Sequence, residues 1–158
     1  MGGRPTLSWG ELPPAIAGPG RDLLERRGLA VLATLRADGR PRLGPVEAHV
    51  AGERLLVGVM PRSLKARDLE RDPRCTLQTV VADPDSGEPE LKLYCRAVSA
   101  AGEPPGAWWT GRPPAEVRVY ELQVDEAALV EWNLADAEMT VTSWSPGRGL
   151  RTTTRPYP

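Results

Sequence analysis

The cleanest alternation of apolar and polar positions lies at 91–100, "LKLYCRAVSA". Leu91, Leu93, Cys95 and Ala97 fall on one face, and Lys92, Tyr94 and Arg96 on the other. That two-residue period predicts a strand with one buried face. "LAVLATLRA" (29–37) is apolar on both faces and reads as a central strand. "DGRP" (38–41) is a hairpin signal through Asp38-Gly39, and "RLGPVEAHV" (42–50) is the return strand. Pro45 has no N–H to give to a ladder, which predicts an edge or a bulge at that point. Ala51-Gly52 turns the chain into a third strand, "RLLVGVM" (54–60). Further strands are predicted at 75–81, 117–124, 127–132 and 138–144. A polar turn-rich loop is predicted at 83–90, and a Pro/Gly-rich loop, with room for one helical turn, at 102–116.

Helical patterns are few. Residues 8–27 read as one or two short helices broken by Pro13, Pro14 and Gly18–Gly20. A second helix is predicted at about 63–72, ended by Asp72-Pro73 because the residue before proline avoids helical dihedrals. The tail from 145 to 158 has no helix or strand period. The whole pattern is a mainly antiparallel β chain with one helix inserted after the third strand. Closure into a small barrel would remove the edges that a flat sheet exposes. The organisation expected is one domain: a helical segment at 1–27, a barrel at 28–144 and a tail at 145–158.

Composition narrows the function classes. The chain has 158 residues, 41% hydrophobic and 26% charged, with a net charge of −1. That is an ordinary globular composition, with no global field for nucleic acid or an anionic membrane. Only Lys65 and Lys92 are lysines among the twenty basic residues, a bias that reads as a high-GC genome. No segment has the apolar length of a signal peptide core or a membrane span, so a cytoplasmic protein is expected. Two cysteines, Cys75 and Cys95, and one histidine, His49, are too few for a disulfide framework or a zinc site. Buried reduced thiols and no metal are the expectation.

"MPRSLKARDLERDPRC" (60–75) carries the candidate chemistry. Ser63 fits a helix N-cap, where free N–H groups and the helix dipole favour an anion. Arg62 and Lys65 put two cations at that end, which is unfavourable unless something negative joins them. A phosphate would complete the site. The alternative is a solvated helix whose cations pair with nearby carboxylates.

The order of parts resembles the pyridoxamine 5′-phosphate oxidase-like family, the flavin-binding split barrels. The carriers are "LATLRADGRPRLGPVEAHV", the strand ending in "LLVGVM", and Ser63, Lys65, Asp68, Leu69, Pro73 and Arg74 in "SLKARDLERDPR". The resemblance implies a split β-barrel homodimer with paired flavin sites at the subunit interface. It implies FMN, or the deazaflavin coenzyme F-420, held by Ser63 and Lys65 with Arg62 and Leu64 beside them. The ring would lie near Val59, Met60 and Gln78. The partner's C-terminal segment would supply Trp144 and Arg148 or Arg151. The sequence also departs from the family pattern. Pyridoxamine phosphate oxidases proper place R-x-x-x-x-K on the second strand, but here Arg42 is followed by Glu47. Leu64 stands where an Arg precedes the helix lysine, and the C-terminal R-x-H-x-R is absent. The implied function is therefore a flavin-dependent oxidoreductase of the actinobacterial type, acting on a small molecule other than pyridoxamine phosphate. The alternative is a non-enzymatic flavin- or haem-binding barrel, for which His49 is the one available axial histidine.

Three other features stay open in the sequence. His49 could donate a proton near a flavin, although a lone strand histidine is more often a satisfied surface residue. Glu47 could act as an acid or base if buried, or pair with Arg42 or Arg62. Trp108-Trp109 could stack on a planar ring or plug an end of the barrel. No residue is assigned a catalytic role.

Overall fold

The structure, a computed structural model, describes residues 5–100, 108, 109 and 116–157. Eight strands form one antiparallel sheet: β1 (Leu29–Leu35), β2 (Pro41–Ala51), β3 (Arg54–Val59), β4 (Arg74–Thr79), β5 (Glu90–Ser99), β6 (Arg118–Asn133), β7 (Glu138–Ser145) and β8 (Gly149–Pro156). Their spatial order is β3-β2-β1-β4-β5-β6-β7-β8, and β6 also pairs with β3. The first six strands therefore close into a barrel, with β7 and β8 added beside β6. Two α-helices complete the described fold: α1 (Pro14–Arg27) ahead of β1 and α2 (Leu64–Arg71) between β3 and β4.

The inward faces follow the predicted alternation. Ala30 and Leu32 of β1, Leu77 of β4, Leu91 and Leu93 of β5 and Leu122 and Val124 of β6 are buried in one cluster. α1 adds Ile16, Leu23 and Leu24, and the preceding turn adds Trp9 and Leu12. At roughly 1.5–3 kcal/mol for each fully buried large apolar side chain, this packing holds the barrel closed. Asp38-Gly39 turns the chain as expected, with Gly39 at φ +79° and the Asp38 carboxylate accepting from the Arg40 N–H. β3 pairs only with residues 47–51 of β2, so β2 is an edge at Pro45, where the missing N–H costs no ladder bond.

Three expectations are corrected. α1 is one continuous helix through Gly18-Pro19-Gly20. Pro14 sits in the first turn, where proline fits, and the roughly 3 kcal/mol cost of internal Pro19 is offset by burial of Ile16, Leu23 and Leu24. Gly20 packs flat on the core: a Cβ there would lie 3.0 Å from both Leu91 and Trp9. The strands expected at 117–124 and 127–132 are one strand, β6, with a bulge at Asp125. The bulge shifts the buried positions from 122 and 124 to 127 and 129, which breaks the period read from the sequence. The tail expected to be irregular forms β8, all of whose residues are exposed. With no buried face, it has no alternation to read. The loop expected at 102–116 lies outside the described residues, apart from Trp108, Trp109 and Glu116.

Candidate functional site

Four residues separate the end of β3 from the start of α2, so the strand end and the helix start face the same space. Ser63 is the N-cap, with extended dihedrals, and its hydroxyl accepts from the Ala66 N–H at 3.1 Å. Lys65, in the first turn, folds back over β2. Its Nζ donates to the Pro45 carbonyl at 2.8 Å, on the stretch of β2 that β3 leaves unpaired. Gly44 makes this possible, because a Cβ there would meet Lys65 Nζ at 2.8 Å. Burial pushes the Lys65 ammonium below its ordinary value, since a partly dry site disfavours the charged form.

These groups border a cavity of about 280 Å³ lined by Leu29, Pro45, Val46, Glu47, Gly58, Val59, Met60, Ser63, Lys65 and Trp109. Val59, Met60, Ser63 and Lys65 are thus brought together. Arg62 and Leu64 flank the cap but are exposed and do not line the cavity. Gln78 lies elsewhere, on the outer face of β4, where it donates to Glu90 at 3.4 Å. β1 and β2 separate β4 from β3, so the ends of the third and fourth strands do not meet within this chain. Trp144 packs against the barrel's own core from β7. Arg148, in the β7–β8 turn, donates to Ser145 at 3.3 Å and pairs with Glu126 at 3.8 Å. Arg151 is exposed on β8, opposite Ser143.

Arg42 turns toward α2. Its Nε donates to Asp68 Oδ2 at 2.7 Å, and Thr34 Oγ1 donates to the same oxygen at 2.8 Å. Arg71 donates to Asp68 Oδ1 at 3.3 Å. Burial alone would raise the Asp68 carboxyl, but these three donors outweigh it and hold it below its ordinary 3.8. Glu47 accordingly does not take Arg42 as its partner through Nε. It sits on the outer face of β2, opposite Leu29 and Gly58.

Trp109, for which the sequence left open stacking on a planar ring or plugging an end of the barrel, lines the cavity. Its ring lies against β3 at Gly58, where a Cβ would come within 2.5 Å of the indole. Gly58 inside an otherwise apolar strand was the available signal, because a strand glycine marks a close approach. Trp108 packs with Leu56, Ala100 and Val119 on the outside of β3 and β6, and its ring stacks on His49 at 5.8 Å and 14°. It meets Trp109 edge-on at 6.4 Å. His49 is therefore engaged with an indole on the barrel's outer face.

A second cavity, also about 280 Å³, lies beside β4 and β5 and includes Thr34, Arg74, Cys75, Tyr94, Cys95 and Asp125. The cysteines are free and directly paired across the strands. Burial, with the charge of Asp125, pushes Cys75 up to about 12, and Cys95 is raised as well. Both are protonated thiols at neutral pH, without the thiolate that nucleophiles and metal ligands need. Among the described residues no three His, Cys, Asp or Glu side chains are grouped to hold a metal, and no helix is long and apolar enough to cross a membrane.

The comparisons follow this geometry. The family model described as pyridoxamine 5′-phosphate oxidase matches residues 20–131. A pyridoxamine 5′-phosphate oxidase-related, FMN-binding protein from Nostoc punctiforme superposes with a TM-score of 0.59, at 14% identity over 94% of this chain and 98% of that one. An F-420 reductase gives 0.55, at 22% identity over 68% and 94%. A haem-binding protein from Mycobacterium smegmatis gives 0.57, at 14% identity over 92% and 90%. At such identities these structures share the fold and say nothing about the ligand. The family model covers most of the chain, including β1 to β5, α2 and nearly all of β6, and on that ground the chain belongs to the pyridoxamine 5′-phosphate oxidase family of split barrels.

Proposed function

We propose that this chain is a flavin-dependent oxidoreductase, which binds FMN or the deazaflavin coenzyme F-420 through the start of α2 and works as a homodimer. The observation that carries this reading is the convergence of a capped helix start, a partly buried lysine and an apolar wall on one cavity. The donor set suits a phosphate. Burial pushes the Lys65 ammonium below its ordinary value, and an anion beside it would offset that cost. Lys65 Nζ and the N-terminal turn of α2 would hold the phosphate, while Val59, Met60 and Trp109 offer an apolar border for a planar ring. A bound flavin supplies two-electron redox chemistry; the chain supplies anchoring, orientation and exclusion of water.

The homodimer reading rests on the outward face of the barrel. Leu43 is 70% exposed, Met60 55% and Tyr94 48%, and Leu43, Ala33, Thr76 and Tyr94 form one row across β2, β1, β4 and β5. An apolar row of this kind suits a second copy. In such a pair, Gln78 and the partner's β7–β8 hairpin, with Trp144, Arg148 and Arg151, are the groups proposed to complete the site. The substrate is proposed to lack the phosphate of pyridoxamine phosphate, because Glu47 borders the cavity.

The test is a Ser63→Ala, Lys65→Ala double variant. Hydrogen bonds to charged groups contribute roughly 1.5–3 kcal/mol each, so FMN or F-420 binding should weaken by about tenfold or more, while loss of the N-cap lowers the melting temperature by only about 2–8 °C and leaves the protein folded. Unchanged affinity overturns the assignment.

A further inference from the structure

Two indoles cover consecutive rungs on the barrel's outer face. His49 of β2 stands opposite Leu56 of β3, and Trp108 lies over that rung. Trp108 packs on Leu56, Ala100 and Val119, and the His49 ring stacks on it at 5.8 Å and 14°. On the next outward rung Gly58 of β3 stands opposite Val119 of β6, and Trp109 lies over Gly58. Trp109 lines the cavity that Ser63 and Lys65 border, whereas neither His49 nor Trp108 does. The two indoles meet edge-on at 6.4 Å and 81°. His49 is thus linked to the cavity wall through one intervening ring.

We propose that His49 is a positioning residue: by stacking on Trp108 it holds Trp109 over Gly58 as an apolar wall of the cofactor site. This inference rests on the flavin reading above, which makes that wall the border for a planar ring. Near-parallel, offset aromatic pairs at this separation are favourable beyond the area they bury. The floor under Trp109 is cut to fit, because a Cβ at Gly58 would come within 2.5 Å of the indole. Trp108 and Trp109 are adjacent in the chain, so fixing one ring restricts where the other can lie. Without the His49 stack, Trp109 spends less time in place. The affinity for a ligand that needs it there falls by the same fraction. In this role His49 acts through Trp108 and touches neither cofactor nor substrate.

The experiment compares wild type with His49→Ala, His49→Phe and Gly58→Ala through two readouts. One is the far-ultraviolet circular-dichroism exciton couplet of the Trp108–Trp109 pair in the cofactor-free protein, identified by its loss in Trp108→Leu. The other is the affinity for FMN and for coenzyme F-420, by titration. His49→Ala should weaken the couplet and lower the affinity by about three- to tenfold, and His49→Phe, which keeps a flat ring, should restore both. Gly58→Ala displaces Trp109 directly and should lower the affinity at least as much with His49 untouched. A melting temperature within about 5 °C of wild type shows that a variant is folded. The inference is overturned if His49→Ala leaves couplet and affinity unchanged, or if Gly58→Ala leaves the affinity unchanged. It is also overturned if His49→Ala loses affinity with the couplet intact, or if His49→Phe fails to restore binding, since His49 would then contact the ligand itself. Failure of the flavin reading is seen separately, as binding of neither cofactor by wild type, and the couplet still reports whether His49 places Trp109.

Discussion

Asp68 joins three elements at one buried carboxylate that is 3% exposed: Thr34 from β1, Arg42 from β2 and Arg71 from α2 all donate to it. Arg71 also donates to the Leu35 carbonyl, so the helix is tied to the end of β1 twice. Removing one partner of a buried charged cluster typically costs about 3–5 kcal/mol, so Asp68→Ala should lower the stability of the barrel by about 3 kcal/mol or more in urea unfolding. The pH dependence has a definite sign. The folded carboxyl titrates below its ordinary 3.8, so its stabilisation is fully present above about pH 4 and is lost as pH falls through the lower folded value. Asp68→Asn should flatten the unfolding midpoint between about pH 2 and 5; an unchanged acid limb would mean that other carboxylates carry it. The motif around Asp68 was legible in the sequence, but its partners were not, because Thr34 and Arg42 lie 34 and 26 residues away and meet it only when β1 and β2 pair.

At the scale of elements, what could be read and what could not divide by burial. β1, β3 and β5 have one or two buried faces, and their apolar pattern gave them away. α1 was read as broken because local rules count Pro19 and the flanking glycines against a helix, whereas Ile16 and Leu24, fully buried, decide in its favour. β6 was read as two strands because one bulged residue, Asp125, changes the phase of burial. β8 was missed because nothing on it is buried, although Thr152, Thr153 and Thr154 carry β-branched side chains and Thr154 meets Thr140 at 3.0 Å across the hairpin. An exposed edge strand of this length invites pairing or cover. Thr153 lies opposite Val141 in the middle of β8. Thr153→Pro should therefore disrupt β8 while leaving the barrel's melting temperature within about 5 °C, and shift the proposed homodimer toward monomer in light scattering. A dimer of undiminished strength would remove β8 from the interface.

For the molecule as a whole, family membership and barrel closure fix where chemistry can occur more firmly than they fix what it is. The register that joins β3 to β6 leaves β2 unpaired at Pro45, and that gap is where Lys65 reaches in. The cavity beside it thus follows from the topology, with Gly44 and Gly58 clearing space for Lys65 and Trp109. Ser63 and Lys65 were legible because a cap and a basic first turn are local signals. The place of Trp109 against Gly58 and the outward row were not, because they depend on which strands end up adjacent. The most direct test of the central claim is a titration of the purified, cofactor-free protein with FMN and with coenzyme F-420 side by side, following tryptophan and flavin fluorescence. The account predicts that one of the two binds at about one equivalent per chain with tryptophan quenching, and that the Ser63→Ala, Lys65→Ala variant loses it. Binding of neither by a folded protein would contradict it.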